Sequence, residues 1–356
     1  MPVRIFIFGL LIFSAITHFC ESSLADTAAP PYQLASLTSA NPGFSGDGDY
    51  LDSITQVVAK HAVAPTWDVG IGTAILTRGT LSGSPIINEL APSPQTLLNA
   101  NQFRFNSSAG PDISALKKLK PDSYFDAIGF RYFDVQSIAA SASTDTFGRT
   151  WQFPTDGRGS ISNIGDVQSS YISQLYSFEA NLYRASENPH VQWLTGFRWI
   201  QAADALGLVG TTDSGTQTIG WNWDTANNLY GWQVGAVTSW LPMSSNWSLT
   251  CSPKIGIYGN QCLSRWSDGV PAGTIRNTNR IFRNQVAFAG DLSASLGYRI
   301  GEHCRLSVGY QLLWLNGVGV AGDQVAVLSG DTIATGLNSS GSAFYHGALA
   351  GIHFNW

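Results

Sequence analysis

The chain ends in the sequence FYHGALAGIHFNW, residues 344–356, in which the character of the side chains changes at every second position. One face carries Phe344, His346, Ala348, Ala350, Ile352, Phe354 and Trp356, and the other carries Tyr345, Gly347, Leu349, Gly351, His353 and Asn355. Successive side chains of a β-strand point to opposite faces, so a period of two predicts a strand with one apolar face.

The same alternation recurs in earlier parts of the chain. In one of these segments Val286, Leu292 and Leu296 alternate with Ser293 and Gly297. The segments that show it are 67–78, 124–134, 171–184, 190–201, 229–241, 246–260, 286–300 and 305–315. A further strand is expected to end near residue 118. Together with the last strand, these segments predict an all-β chain.

The composition excludes several classes of protein. Charged residues make up only 12% of the chain and hydrophobic residues 44%, whereas a soluble domain carries about 25% charged residues. The net charge of −5 supplies no basic stripe for nucleic acid. With 12 Trp, 18 Phe and 12 Tyr the chain has ample apolar surface to bury, which excludes disorder. An ordinary cytosolic enzyme is therefore not expected.

The first 25 residues have the pattern of a secretory signal peptide. Arg4 supplies the positive charge, residues 5–16 are apolar, and Ser23 and Ala25 are small residues before the expected cleavage site. The apolar stretch is shorter than the roughly 20 residues that a membrane-spanning helix needs. We expect export, with 26–65 as a periplasmic lead-in.

Three cysteines remain after the signal peptide, namely Cys251, Cys262 and Cys304. An odd number cannot form a complete disulfide framework, although one disulfide bridge between two of them is possible. Their spacing does not match a metal site, and Asp47-Gly48-Asp49 lacks the terminal glutamate of a calcium loop. We therefore expect no metal and no cofactor.

Loop lengths and aromatic positions predict the architecture. Short turns are expected at 120–122, 187–189, 242–245 and 301–303, and long polar links at 79–100, 135–169, 204–227, 261–283 and 317–341. Several aromatic residues lie near strand ends, as in the girdles of a membrane barrel. Residues 66–356 are therefore predicted to form a transmembrane antiparallel up-and-down β-barrel. About ten strands are expected, or twelve if a loop hides another hairpin.

Several short motifs give the chain a family likeness. Gly196-Phe197-Arg198-Trp199 follows the segment 170–184 and precedes Asn227-Asn228-Leu229-Tyr230-Gly231. These motifs resemble the β-barrel porins of planctomycete-type bacterial outer membranes. The final residues, 351–356, look like a bacterial barrel-assembly signal carried by Ile352, Phe354 and Trp356. The resemblance implies an outer-membrane location and a pore, and it implies no catalytic residues.

Charged residues on the polar face are the candidate lumen lining. They are Asp68, Arg131, Glu179, Arg198, Lys254, Asp291 and Arg299. Either they form a satisfied ion-pair network that plugs a narrow barrel, or they select small solutes in a narrow channel. A barrel of eight strands is filled by side chains and one of sixteen is open, so both interpretations remain for ten to twelve strands.

Two other classes of function remain as alternatives. An outer-membrane hydrolase on the same barrel could use His346 on the apolar face, together with a serine and an acid or amide from neighbouring strands. A secreted soluble β-sandwich adhesin would show a similar alternation. We expect no enzyme, no nucleic-acid partner, and contacts with outer-membrane lipid and the barrel-assembly machinery.

Overall fold

The computed structural model describes residues 66–91, 95–153, 161–240, 246–273, 275, 277–325 and 336–356. The signal peptide 1–25 and the lead-in 26–65 lie outside the described residues, so both stay predictions. The described residues form thirteen strands, which are β1 (Trp67–Arg78), β2 (Pro85–Ala91), β3 (Gln95–Asn99), β4 (Ser108–Lys118), β5 (Ala127–Asp145), β6 (Thr150–Gln152), β7 (Ile164–Ala185), β8 (Val191–Thr212), β9 (Thr218–Trp240), β10 (Trp247–Gly269), β11 (Asn277–Arg299), β12 (Cys304–Val318) and β13 (Gly341–Asn355).

Ten of these strands close into one antiparallel barrel. The order around the ring is β1, β4, β5, β7, β8, β9, β10, β11, β12 and β13. The last strand closes the ring on the first, with Asp68 opposite Asn355 and Arg78 opposite Tyr345. Closure removes the exposed edges that an open sheet would present to lipid. The predicted up-and-down barrel of ten strands is therefore confirmed.

The start of β1 and the end of β13 lie at the same end of the barrel, which we call the proximal end. There the Trp67 N–H donates to the Trp356 carbonyl at 3.0 Å, and the Trp356 N–H donates to the Trp67 carbonyl at 3.1 Å. Connections at this end are short, at 186–190 and 300–303, as the sequence predicted. The predicted turn at 242–245 lies outside the described residues.

The opposite, distal end carries additional elements. Strands β2, β3 and β6 form a small sheet in the order β3, β2, β6, and a 3₁₀ turn covers Ala100–Gln102. A single helical turn, α1 (Ala321–Gln324), follows β12. Among the described residues, no helix is long and apolar enough to cross a membrane.

In the proximal half of the barrel the outer surface is apolar and the inner surface polar. On β9 this half comprises residues 230–240, where the outward Trp232 is 56% exposed and the inward Gln233 only 1%. Exposed tryptophans at 193, 240 and 247 lie close to the proximal strand ends. Aromatic rings at this level suit a lipid headgroup region, so the proximal half has the surface of a lipid-embedded barrel.

In the distal half the polarity is reversed, and this corrects the predicted loops. On β9 the distal half comprises residues 218–229, where Asn222 and Asp224 face outward and Trp221 and Trp223 are buried inside. Large parts of the predicted loops 135–169, 204–227 and 261–283 are strand, because β5 and β7 to β11 continue well past the lipid-facing surface. The prediction was wrong because polar outward residues were interpreted as loop composition. By contrast, the predicted link 317–341 corresponds to the connection between β12 and β13.

Candidate functional site

A group of charged and amide side chains crosses the lumen in the proximal half. The Arg131 guanidinium makes a two-pronged contact with Asp112, with Nε to Oδ1 at 2.9 Å and Nη2 to Oδ2 at 2.8 Å. The same Nη2 donates to Gln311 Oε1 at 3.0 Å. Gln311 in turn donates through Nε2 to Asp291 Oδ2 at 2.8 Å. Since Arg131 and Gln311 lie on non-adjacent strands, this contact spans the interior.

The group continues on the other side of the lumen. Arg198 Nη2 lies 2.9 Å from Asp291 Oδ2 and 3.6 Å from Glu179 Oε1. Lys254 Nζ donates to both oxygens of Glu179, at 2.9 and 2.8 Å. Gln233 Nε2 also donates to Glu179 Oε2, at 2.9 Å. Charge-assisted hydrogen bonds of this kind are the stronger ones in proteins.

We call these side chains the lumen network, which consists of Asp112, Arg131, Glu179, Arg198, Gln233, Lys254, Asp291 and Gln311. Its members come from β4, β5, β7, β8, β9, β10, β11 and β12. Three carboxylates and three cations make the network neutral. It therefore joins most of the ring at one level and presents no excess charge of either sign.

A second polar contact crosses the lumen on the distal side of the network. Arg78 on β1 forms an ion pair with Asp204 on β8. Tyr171 and Ser173 donate their hydroxyls to the two oxygens of Asp204, each at 2.8 Å. Ser173 also contacts the Tyr345 hydroxyl at 3.0 Å. All five side chains are nearly inaccessible to solvent.

An apolar core occupies the distal half of the lumen. It joins inward strand residues to the small sheet β3–β2–β6, and its members include Leu76, Ile86, Ile87, Leu98, Phe133, Val135, Trp151, Leu175, Leu206, Leu208, Trp221, Trp223, Leu313 and Leu315. Protein interiors pack as densely as organic crystals, and these side chains are buried in a single cluster. The small sheet thus packs against the inward side chains of the distal half.

On its proximal side the lumen network is the floor of a cavity of about 420 Å³. Arg131, Glu179 and Lys254 lie at this floor. The walls are rich in hydroxyls, which come from Ser114, Ser239, Ser248, Thr250, Ser252, Ser293, Ser295 and Ser307. Residues near the proximal strand ends, such as Asp68 and Gln192, line its mouth. We call this space the proximal cavity.

One wall of the proximal cavity carries a linear series of hydrogen bonds across three adjacent strands. Asp68 Oδ1 on β1 lies 3.2 Å from His353 Nδ1 on β13, and His353 Nε2 lies 3.2 Å from Ser307 Oγ on β12. Arg305 Nη2 lies 3.6 Å from the second oxygen of Asp68. Asp68 and Arg305 are partly exposed, so the series is accessible from the cavity mouth.

The predicted lumen residues fall into three positions. Five of them belong to the lumen network, namely Arg131, Glu179, Arg198, Lys254 and Asp291. Asp68 lies at the mouth of the proximal cavity. Arg299 is exposed at the last position of β11. The inward phase that the alternation predicted therefore brings most of these charges together.

The two other candidate sites lie on the outer face. Ile352, Phe354 and Trp356 project outward and are exposed at the proximal end of β13. His346 also faces outward, and its Nδ1 lies 2.6 Å from the Tyr310 hydroxyl. The contact gives His346 neither the serine nor the acid that the hydrolase alternative requires.

Within the described parts of the chain, cysteines and metal-binding side chains provide no further site. Cys251, Cys262 and Cys304 are free thiols, and Cys262 is buried. Among the described residues, no group of three His, Cys, Asp or Glu side chains could hold a metal ion.

Comparison with known proteins identifies the family of the chain. The sequence model of the family described as "Putative beta barrel porin-7 (BBP7)" matches residues 125–342, more than half of the chain. The chain belongs to the BBP7 family. None of the curated proteins matches it. Family and fold together describe a porin-type barrel of the bacterial outer membrane.

Solved outer-membrane proteins are distantly similar to this BBP7 barrel. The outer-membrane protease OmpT from Escherichia coli is 12% identical with a TM-score of 0.44, covering 83% of this chain and 98% of that one. The monoaromatic hydrocarbon channel TodX, a deletion mutant, is 8% identical with a TM-score of 0.25 over 82% and 90%. An anion-selective porin from Comamonas acidovorans is 8% identical with a TM-score of 0.20 over 82% and 99%.

Several members of the two sites were not predicted from the residue pattern. Asp112 lies on β4, for which the sequence predicts only an end near residue 118, and Gly110 and Pro111 interrupt its alternation. Gln311 and Ser307 lie on the inward face of a segment whose phase was predicted, yet they carry no charge to single them out. The alternation shows which residues face inward, but it does not show which inward residues lie at the same height in the barrel. The strand register is also needed to identify them.

Proposed function

We propose that this BBP7 barrel is a structural protein of the outer membrane whose lumen does not conduct solutes, rather than a narrow channel. The observation that carries the proposal is the lumen network, which ties eight of the ten ring strands together across the interior. A barrel of this width is close to the size at which side chains alone fill the interior. The hydrogen-bonded side chains of the lumen network occupy the part of the interior that water would fill in an open pore.

The energetics of the interior support a permanently closed state. Buried ion pairs are costly to separate, since each charge would lose its partner in a medium of low dielectric constant. Behind the network, the contact between Arg78 and Asp204 and the apolar core would also have to move. A solute crossing the barrel would meet three barriers in series.

We further propose how the protein reaches its membrane. The signal peptide 1–25 directs export, and the assembly machinery recognises the outward row Ile352, Phe354 and Trp356 at the end of β13. Once inserted, the apolar outer surface of the proximal half contacts outer-membrane lipid. The absence of a basic stripe in the sequence argues against a nucleic-acid partner.

Conductance across a planar lipid bilayer tests the closed state. Purified protein refolded in detergent should insert without producing current steps, whereas an open porin added under the same conditions should produce them. Insertion is verified separately by heat-dependent gel migration and protease protection of the reconstituted barrel. Steady, voltage-independent current steps from wild-type protein would contradict the proposal and favour the narrow-channel alternative, in which the proximal cavity would be one half of a pore.

A further inference from the structure

The series Asp68, His353 and Ser307 has the connectivity of a hydrolytic triad. We propose that these residues form a Ser-His-Asp site that hydrolyses short-chain carboxylic esters of polar alcohols, with the proximal cavity as the substrate site. This activity goes beyond the proposed structural role, because a barrel that conducts nothing can still bind a molecule in its open proximal half. Triads occur on unrelated folds and are recognised by geometry and roles.

The hydrogen bonds assign a role to each nitrogen of the imidazole. Asp68 is a carboxylate and accepts from His353 Nδ1–H at 3.2 Å, so Nε2 is left as the acceptor for the Ser307 hydroxyl, also at 3.2 Å. The only other acceptor near Ser307 Oγ in the described contacts is the Gly351 carbonyl, which is more distant at 3.4 Å. His353 is therefore oriented as a general base toward Ser307, and Asp68 is its positioning residue.

The barrel ladder fixes these side chains on rigid elements. In the register, His353 lies directly between Arg305 on β12 and Gly70 on β1. Asp68 lies two residues before Gly70 on β1, and Ser307 lies two residues after Arg305 on β12. Both therefore lie on the same inward face as His353. Catalytic groups on strands are held more exactly than groups on loops, because the strands themselves cannot shift independently.

Glycines lie beside Ser307 on both neighbouring strands. The residues directly opposite Ser307 are Gly351 on β13 and Gly297 on β11. Further along the same inward face, Gly309 and Gly72 also carry no side chain and line the cavity. Ser248 and the Arg305 side chain occupy the space at Gly297, whereas no side chain other than that of Ser307 lies close to Gly351. A carbonyl carbon therefore approaches Ser307 Oγ from the side of Gly351.

The oxyanion of such a reaction needs donors from side chains. Backbone N–H groups of β12 and β13 are engaged in the barrel ladder, so they cannot turn toward a substrate. Arg305 projects inward beside His353 and contacts Asp68 only at 3.6 Å. We assign its guanidinium to stabilise the negative charge on the carbonyl oxygen.

The reaction balances without a cofactor. Ser307 Oγ forms a bond to the ester carbonyl carbon while its proton passes to His353 Nε2. The C–O bond to the alcohol breaks, and the departing oxygen takes that proton. Water then attacks the acyl-serine, again giving its proton to His353, and the carboxylic acid leaves as Ser307 regains the proton.

The dimensions and lining of the proximal cavity select the substrate class. Its volume of about 420 Å³ lies within the usual range for small-molecule sites. The hydroxyl-rich walls and charged floor offer hydrogen-bonding groups to a polar alcohol, and the volume is too small for a long acyl chain beside that alcohol. A short acyl group on a polyhydroxylated alcohol therefore fits, and a phospholipid does not.

Two measurements on purified full-length protein in detergent test the site. The first is hydrolysis of p-nitrophenyl acetate, with p-nitrophenyl palmitate as the long-chain comparison. Wild-type protein should hydrolyse the acetate, and Ser307→Ala and His353→Ala should each lower the rate to that of the uncatalysed reaction. Asp68→Asn should lower kcat about 10²-fold or more with KM nearly unchanged, and Asp68→Glu should recover part of the loss. The second is covalent labelling of wild-type protein with a fluorophosphonate, which should modify Ser307 in the peptide map.

Matched controls lie on the outer face of the same barrel. His346→Ala removes a histidine from β13 that faces away from the lumen, and Ser342→Ala removes an exposed serine of that strand. Both should leave hydrolysis unchanged, and heat-dependent gel migration verifies that every variant is a folded barrel. Hydrolysis that survives Ser307→Ala, that disappears with His346→Ala, or that wild-type protein lacks altogether would overturn the proposal. Labelling at another serine, or at none, would do the same.

Discussion

The two halves of β9 share one alternation and have opposite polarity. In the proximal half Trp232 faces outward and Gln233 inward, while in the distal half Asn222 faces outward and Trp223 inward. The period of two follows from strand geometry alone, whereas the polarity of each face follows from the medium beside it. The outward residues are those expected for lipid around the proximal half and for water around the distal half. We therefore expect the membrane boundary at the place where the polarity reverses.

The largest expected effect separates the two ends of β13. Deleting Phe354 to Trp356 removes residues that pair with Val69 and with Cys304 on the neighbouring strands. An unpaired edge strand is readily captured by another chain, so we expect the assembly machinery to use this end. The amount of protein in the outer membrane, measured by immunoblot of fractionated cells, should fall to background.

The matched variant is Phe344→Ala, which truncates an exposed aromatic residue near the distal end of the same strand. It should insert at normal abundance, since it leaves the proximal row intact. Normal outer-membrane abundance of the truncated chain would show that recognition does not depend on the proximal end of β13.

The second prediction concerns the polar interior of the proximal half. Arg198→Ala removes the cation that lies 2.9 Å from Asp291 and 3.6 Å from Glu179. It leaves Asp291 with only Gln311 among its described partners. Losing one partner of a buried ion pair typically costs about 3–5 kcal/mol. The free energy of unfolding in lipid vesicles, followed by tryptophan fluorescence in guanidinium chloride, should fall by that amount.

The paired substitution Arg198→Met with Asp291→Leu is its control. Replacing both charges with apolar side chains of similar volume is often neutral, so this variant should recover most of the loss. A single variant that costs less than about 1 kcal/mol would mean that water reaches the lumen network, which would weaken the argument for a closed barrel.

The sequence predicts the proximal half better than the distal half, for a physical reason. Around Phe197 and Arg198 the apolar face is also the lipid face, so strand and phase are both visible in the residue pattern. Around Trp221 and Trp223 the apolar face is internal and the outward residues resemble a polar loop. An alternation of apolar and polar residues therefore corresponds to a lipid-facing strand in the proximal half and to a water-facing strand in the distal half.

Site partners are harder to predict than the phase of a strand. The pairing of Arg131 with Gln311 depends on the stagger of strands that lie across the lumen from each other. The alternation places His353 on the same face as Gly351 and Asn355, but its neighbours Asp68 and Ser307 become visible only when the register of three strands is known. Alternation gives each residue a face, and register gives it a level along the barrel.

The third prediction compares one charge at three depths on the outer surface. Leu292 and Val209 are both apolar, outward-facing and 41% exposed, yet Leu292 lies midway along the lipid-facing part of β11 and Val209 lies in the distal half of β8. Arginine near the bilayer midplane costs about 2–4 kcal/mol, falling to about 0–1 near the interfaces. Leu292→Arg should therefore destabilise the barrel in vesicles far more than Val209→Arg.

Leu296→Arg provides the intermediate depth, since it lies close to the aromatic residue Tyr298 at the proximal end of β11. Its cost should fall between the other two in the same unfolding measurement. An equal loss of unfolding free energy at all three positions would contradict the interpretation that lipid surrounds the proximal half.

The smallest expected effect concerns an ion pair at the distal end. Arg149 Nη1 lies 2.9 Å from Glu89 Oε2, but the Arg149 side chain is 40% exposed, and Gln95 donates to the same Glu89 oxygen at 2.7 Å. Exposed pairs contribute about 0–1 kcal/mol, and salt screens them. Arg149→Ala should therefore lower the free energy of unfolding by less than about 1 kcal/mol, and by less still in 1 M salt. The loss from Arg198→Ala should persist in salt, because its partners are buried. A cost at Arg149 as large as that at Arg198 would show that the distal end excludes water as fully as the lumen does, and the contrast between the two halves would then not arise from solvent.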